Sequence, residues 1–230
     1  MNKYNIDQLI IEVGRKCNMC CPHCLRGDDE NLTIRYPDIT DVLKNIESIG
    51  SLTITGGEPF LYPSQIEYIV DEIEHHEIPI SSFFVATNGT VKSFDVVKQL
   101  LRLYEMCEEK EFCELKISND SYHDKSKDIW CVLDGLAFAH RSGDMKEEYL
   151  LSEGRAADNY DTERQVKDYG ITVTNDGKTI DGMIYVAADG NILTGCDYSY
   201  ANQPAHSHGN LRNASFAEIM EKLIADSPAA

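Results

Sequence analysis

Runs of five to seven residues rich in Ile, Val, Phe, Leu and Thr alternate along this chain with stretches of helical periodicity, and that alternation leaves few folds open. The β-like runs are LIIEV (9–13), SLTIT (51–55), SSFFVAT (81–87), CELKIS (113–118) and EEYLL (147–151). Helical patterns fall between them: Ile39 to Ile49, opened by Pro37 and Asp38; a stretch from Ser64 with Ile66, Ile69, Val70 and Ile73 on one face; Phe94 to Cys107; and Lys127 to Arg141. A strand–turn–strand pattern over 182–195 and a last helix from Ser215 to about Ala225 complete the chain. Strands alternating with helices of this length predict βαβ units and a largely parallel sheet.

The 230 residues suit one sizeable α/β domain. A chain of this length buries roughly 70–75% of the surface it exposes unfolded, so it needs no disulfides to hold its core. The apolar run near the N-terminus is only Leu9 to Val13 and is broken by Glu12, so neither a secretory signal nor a membrane span is expected. A cytoplasmic protein with reduced thiols is the simplest expectation. Acidic residues outnumber basic ones 39 to 21, giving a net charge of −18 that repels phosphate backbones and argues against nucleic acid as a partner.

Each unusual loop directly follows a predicted strand: CNMCCPHC (17–24), GGEP (56–59), NGT (88–90) and NDSYHD (119–124). In parallel α/β folds the carboxyl ends of the strands share one rim, where ligands bind. The first loop holds four of the eight cysteines. A structural zinc site wants two C-x-x-C pairs about 15–20 residues apart, whereas Cys17/Cys20 and Cys21/Cys24 abut. A two-cluster ferredoxin needs a C-x₂-C-x₂-C-x₃-C-P run and a partner run, and neither is present. The remaining selection, Cys17-x₃-Cys21-x₂-Cys24, offers three thiolates to a four-iron cluster and leaves one iron open.

These residues resemble the radical S-adenosylmethionine (SAM) enzyme superfamily in a single-cluster form. CNMCCPHC matches its C-x₃-C-x₂-C motif, with His23 in the aromatic-type position before the last cysteine, and TGGEP (55–59) matches its glycine-rich turn after the second strand. The resemblance implies a partial (β/α)6 TIM-like barrel over residues 1–195, with a short C-terminal extension, 196–230, whose terminal helix packs on the barrel. It implies a [4Fe-4S] cluster on Cys17, Cys21 and Cys24, with Cys20 a bystander, and S-adenosyl-L-methionine chelated at the open iron. Reductive cleavage would then give a 5′-deoxyadenosyl radical that abstracts a hydrogen atom from substrate. Gly56 and Gly57 would let backbone approach the methionine moiety, with Glu58 and Pro59 fixing the turn. Asn88 and Ser118 lie where the family contacts the ribose and amino-acid part of SAM. Arg155 resembles the arginine set beside the SAM carboxylate, the alternative being a surface ion pair with Glu153 or Asp158.

Asp120, Tyr122 and His123 follow the fourth strand and are candidate substrate contacts, a capped turn being the alternative. Cys196 is a candidate hydrogen donor, against a packed thiol. The C-terminal segment DGNILTGCDYSY…HSHGNLRNASFAEIM, from Asp189, resembles the start of the cysteine-rich extension of peptide-modifying members, but it holds one cysteine, so a single cluster is expected. His206 and His208 are read as loop residues. The favoured function is modification of a ribosomally made peptide by cross-linking or epimerisation. The alternatives are a small metabolite or nucleotide substrate, glycyl-radical activation, or, outside enzymes, iron–sulfur electron transfer or sensing. A flavodoxin- or ferredoxin-type reductant is the expected partner, docking on Arg15, Lys16 and Arg26.

Overall fold

The computed structural model describes residues 3–227 apart from 124, 125, 127, 145, 169 and 175. Its centre is one sheet with strand order β5-β4-β3-β2-β1-β7-β8-β9. The strands are β1 Tyr4–Glu12, β2 Ile46–Thr55, β3 Ile80–Thr87, β4 Glu114–Ile117, β5 Ala139–Arg141, β6 Ile171–Val173, β7 Thr179–Val186, β8 Asn191–Leu193 and β9 Gly209–Asn210. From β5 through β1 to β7 every pairing is parallel. The far edge of β7 is shared by two antiparallel strands, β6 on its first half and β8 on its last. The sheet is unclosed, a partial TIM-like arrangement.

Three helices fill the first three crossovers: α1 Tyr36–Leu43, α2 Pro63–His75 and α3 Phe94–Met106. The apolar stripe read from the sequence is the buried face of α2, with Ile66, Ile69, Val70 and Ile73 all within the core. α2 packs against both α1 and α3. Ser93 caps α3 by accepting from the Val96 amide. The short α4, Gly154–Asn159, leads toward β6, and α5, Phe216–Asp226, starts at a Ser215–Glu218 capping box. α5 returns to the first elements of the chain: Phe216 sets its ring edge-on to Tyr4, and its amide donates to Asp41.

Three expected elements differ. The helix expected over 39–49 stops at Leu43, and 46–49 already belong to β2, where Ile46 and Ile49 are buried. The helix expected over 127–141, whose first residue lies outside the described set, is replaced by a 3-10 turn, Cys131–Gly135, and by β5. Pairing of Ala139–Arg141 with the open edge of β4 outweighs the helical spacing of Trp130, Leu133 and Phe138. EEYLL is not a strand; Glu147–Tyr149 form a 3-10 turn, and the fifth strand lies earlier, at 139–141.

Candidate functional site

The cysteine loop leaves β1 and is stitched to its neighbours by backbone. Val13 donates to Thr55 O, Gly57 to Gly14 O and Glu58 to Lys16 O, the last two both at 2.9 Å. A Cβ on Gly56 would stand 2.3 Å from Gly14 O, and one on Gly57 2.3 Å from Lys16 O. The glycine turn therefore lies directly against the base of the cysteine loop, an approach only residues without a Cβ permit. Glu58 extends the join to β3. Its buried carboxylate accepts from the Phe60 amide, from Thr87 Oγ1 at 2.7 Å and from the Asn88 amide at 2.8 Å. Burial raises its pKa, and these three donors oppose the rise. Pro59 is buried and opens a 3-10 turn, Pro59–Leu61.

Asn88 reaches back to the loop, donating to Asn18 Oδ1 at 2.8 Å while its own carbonyl accepts from Thr90. Ser118 is half-buried at the end of β4, with its amide on Thr87 O. Arg155 clasps the loop from α4. Its amide donates to Cys24 O, its Nε donates to Cys21 O at 2.9 Å, and its guanidinium pairs with Asp28 at 3.1 Å, not with Glu153 or Asp158. Asn159, one turn on, donates to Pro22 O.

Cys17, Cys21 and Cys24 are half-buried free thiols, and Cys20 is exposed. Burial and the neighbouring Cys17 and Cys24 push the Cys21 thiol up to about 11, and burial raises Cys17 as well. A positive charge placed beside Cys17 and Cys21 would reverse that rise and favour their thiolates. A cavity of about 530 Å³ opens over the loop, lined by Cys17, Cys20 and Cys21 on one side and by Tyr122 and His123 on the other. Asp120 lies beneath, buried, with Oδ1 accepting from the Tyr122 amide and 2.7 Å from His123 Nδ1.

Cys196 is not among the residues lining this cavity. It packs against the small cluster of Ile10, Tyr185, Leu193 and Tyr198 and donates to Asp197, and burial beside that carboxylate pushes it up to about 11. His208 Nε2 lies 3.0 Å from Thr194 Oγ1, and His206 stacks on Tyr198.

The expected basic docking patch does not form. Arg15 is 3% exposed, bound by Glu12 at 2.7 Å, Glu30 at 2.8 Å and Asp189 at 3.1 Å. Arg26 is half-buried, its guanidinium over the Tyr185 ring and donating to Tyr198 O. Only Lys16 of the three is exposed. Sequence reading missed the acceptor that organises this region: Glu12, fully buried, also accepts from Tyr185 Oη, the Ala188 amide and Gln203 Nε2. Its signal was present, a lone acid at the end of the apolar first strand with Arg15 three residues on. The network ties β1 to β7 and to the segment after β8, directly under the cysteine loop.

Known proteins resemble this chain in sequence and in fold. Over 83 residues the chain is 29% identical to 7-carboxy-7-deazaguanine synthase of Methanothermobacter thermautotrophicus, and over 104 residues it is 35% identical to GTP 3',8-cyclase of Clostridium perfringens. These stretches are 34% and 41% of this chain and 31% of each relative, so the match spans about a third of the curated relatives. The fold matches the crystal structure of BtrN in complex with AdoMet and 2-DOIA at a TM-score of 0.58 and 18% identity, covering 98% of this chain and 86% of that one. The model of the Radical SAM superfamily matches residues 11–143, more than half of the chain, from the last residues of β1 to just past β5. The chain thus belongs to the radical SAM superfamily, an enzyme family that uses a [4Fe-4S] cluster and S-adenosylmethionine.

Proposed function

We propose that Cys17, Cys21 and Cys24 hold the [4Fe-4S] cluster and that the chain uses it to begin radical chemistry on a bound substrate. When bound there, the cluster supplies the electron that cleaves S-adenosylmethionine to methionine and a hydrogen-abstracting 5′-deoxyadenosyl radical. The observation that carries this reading is one loop that holds three half-buried thiols, Cys17 and Cys21 facing a cavity and Cys24 just behind them in sequence, and that is clamped by the glycine turn and by Arg155.

The chain's own residues hold and shape that site. Backbone bonds from Gly57 and Glu58 fix the start of the cysteine loop, and Arg155 fixes its end through the Cys21 and Cys24 carbonyls. Asn88 and Ser118, at the ends of β3 and β4, are the proposed polar contacts for the ribose and amino-acid part of S-adenosylmethionine, with the Arg155 guanidinium facing its carboxylate. Tyr122 and His123 wall the cavity opposite the thiols, where substrate would lie.

For substrate, a small metabolite has the broader support, since both curated relatives bear the names of enzymes acting on small molecules. Peptide modification rests on the segment after β7 alone. Cys196 stays the candidate hydrogen donor only if the cavity extends toward β8.

The test is electron paramagnetic resonance of the dithionite-reduced, cluster-loaded chain. Adding S-adenosylmethionine should change the cluster signal in wild type and in Cys20→Ser, and Cys21→Ser should give no such cluster. A signal indifferent to S-adenosylmethionine would overturn the reading.

A further inference from the structure

His23, Asp120 and His123 come together from two different loops. His23 stands just before the last cysteine of the first loop, and Asp120 and His123 follow β4. One ligand atom from each lies within 4.8 Å of the others, and among the described residues this is the group of His, Cys, Asp or Glu so gathered. The His23 ring packs 4.8 Å from Tyr122 and 5.1 Å from His123. Its Nδ1 is shut off from solvent and has no hydrogen-bond partner among the described residues. A buried polar atom without a partner calls for a ligand. Asp120 is 7% exposed, and a carboxylate that deep is tolerated when it is paired or coordinates a metal.

We propose that His23, Asp120 and His123 form a binding site for a first-row divalent transition-metal ion, distinct from the cysteine cluster. Two imidazoles and one carboxylate are a ligand set for zinc or ferrous iron rather than for magnesium or calcium, which take oxygen ligands. Ion–ligand bonds of about 2.0–2.2 Å put the atoms of a tetrahedral set about 3.4 Å apart, so movements on the order of 1 Å complete the site. Three protein ligands leave coordination positions open, and His123 lines the cavity, so the ion presents those positions to an oxygen-donor group of a substrate. The site also pins the cysteine loop to the loop after β4 across the cavity mouth.

The experiment uses zinc as the probe. Cluster-loaded chain is dialysed to equilibrium against buffered zinc, and zinc, iron and sulfide are counted per chain. The expected result is one zinc per wild-type chain with four irons retained, and at least tenfold weaker zinc binding in Asp120→Asn and in His123→Gln with the iron count unchanged. A second arm uses the Cys17/Cys21/Cys24→Ser chain, which has no cluster thiolates and should still take up one zinc. This arm reads the metal site even if the cluster reading fails. Zinc uptake that is equal in wild type and both variants, or absent from both arms, overturns the proposal.

Discussion

Glu58 joins the glycine turn to the end of β3 through one carboxylate that takes three donors, which makes it the most exacting single residue in the site. Glutamine in its place keeps one acceptor oxygen but points an NH₂ group toward existing donors, so Glu58→Gln should cost about 1–3 kcal/mol, read as a lower urea midpoint. The pH dependence has a definite sign. Burial holds the Glu58 pKa above its unfolded value, so between the two values the folded chain binds the proton more tightly. Its contribution therefore falls as pH rises through that window, and the stability gap between wild type and Glu58→Gln should narrow over it; a gap that widens would contradict the assignment. At this scale the sequence was readable where chemistry is written contiguously. The cysteine run and GGEP stand out by composition, but the fates of Arg15 and Arg26 did not, because their partners Asp189 and Tyr198 are supplied by strands and loops more than 170 residues away.

The glycine turn and the cysteine loop behave as one element. A methyl group at Gly57 would meet the Lys16 carbonyl at 2.3 Å, with Arg15 O at 2.8 Å, and neither is a flexible side-chain end that can step aside. Gly57→Ala should therefore cost about 1–3 kcal/mol and lower the iron content of the reconstituted chain, measured by thermal unfolding beside iron analysis. Wild-type iron content in that variant would show that the turn does not support the loop. Helices with a clean apolar stripe, α2 and α3, were legible from periodicity alone, and so were the first four strands. The stretch after β4 was not. Trp130, Leu133 and Phe138 are spaced for a helix, yet Trp130 donates its amide to Gly89 O and Ala139 to Arg141 extend the sheet, choices made by tertiary partners that local spacing does not encode.

Across the whole molecule, the parallel sheet sets every candidate loop at one rim, which is why residues as far apart as Cys17, Glu58, Asn88, His123 and Arg155 converge. That rim was legible from strand order. The position of β7 was not, since nothing local in TIDGMIYV says that it pairs with β1 rather than extending the sheet beyond β5. The buried Glu12–Arg15–Tyr185–Gln203 network favours that pairing, because Tyr185 in β7 and the Ala188 amide and Gln203 beyond it all donate to the Glu12 carboxylate at the end of β1. The net charge of −18 bears on encounter with partners rather than on this architecture, and among the described residues no helix is long and apolar enough to cross a membrane. Radical chemistry begun at this rim would leave 5′-deoxyadenosine, which is followed by mass spectrometry after anaerobic reconstitution with iron and sulfide and addition of dithionite and S-adenosylmethionine. Wild type should form it and the Cys17/Cys21/Cys24→Ala chain should not; a wild-type chain with a complete cluster that forms none would contradict the account.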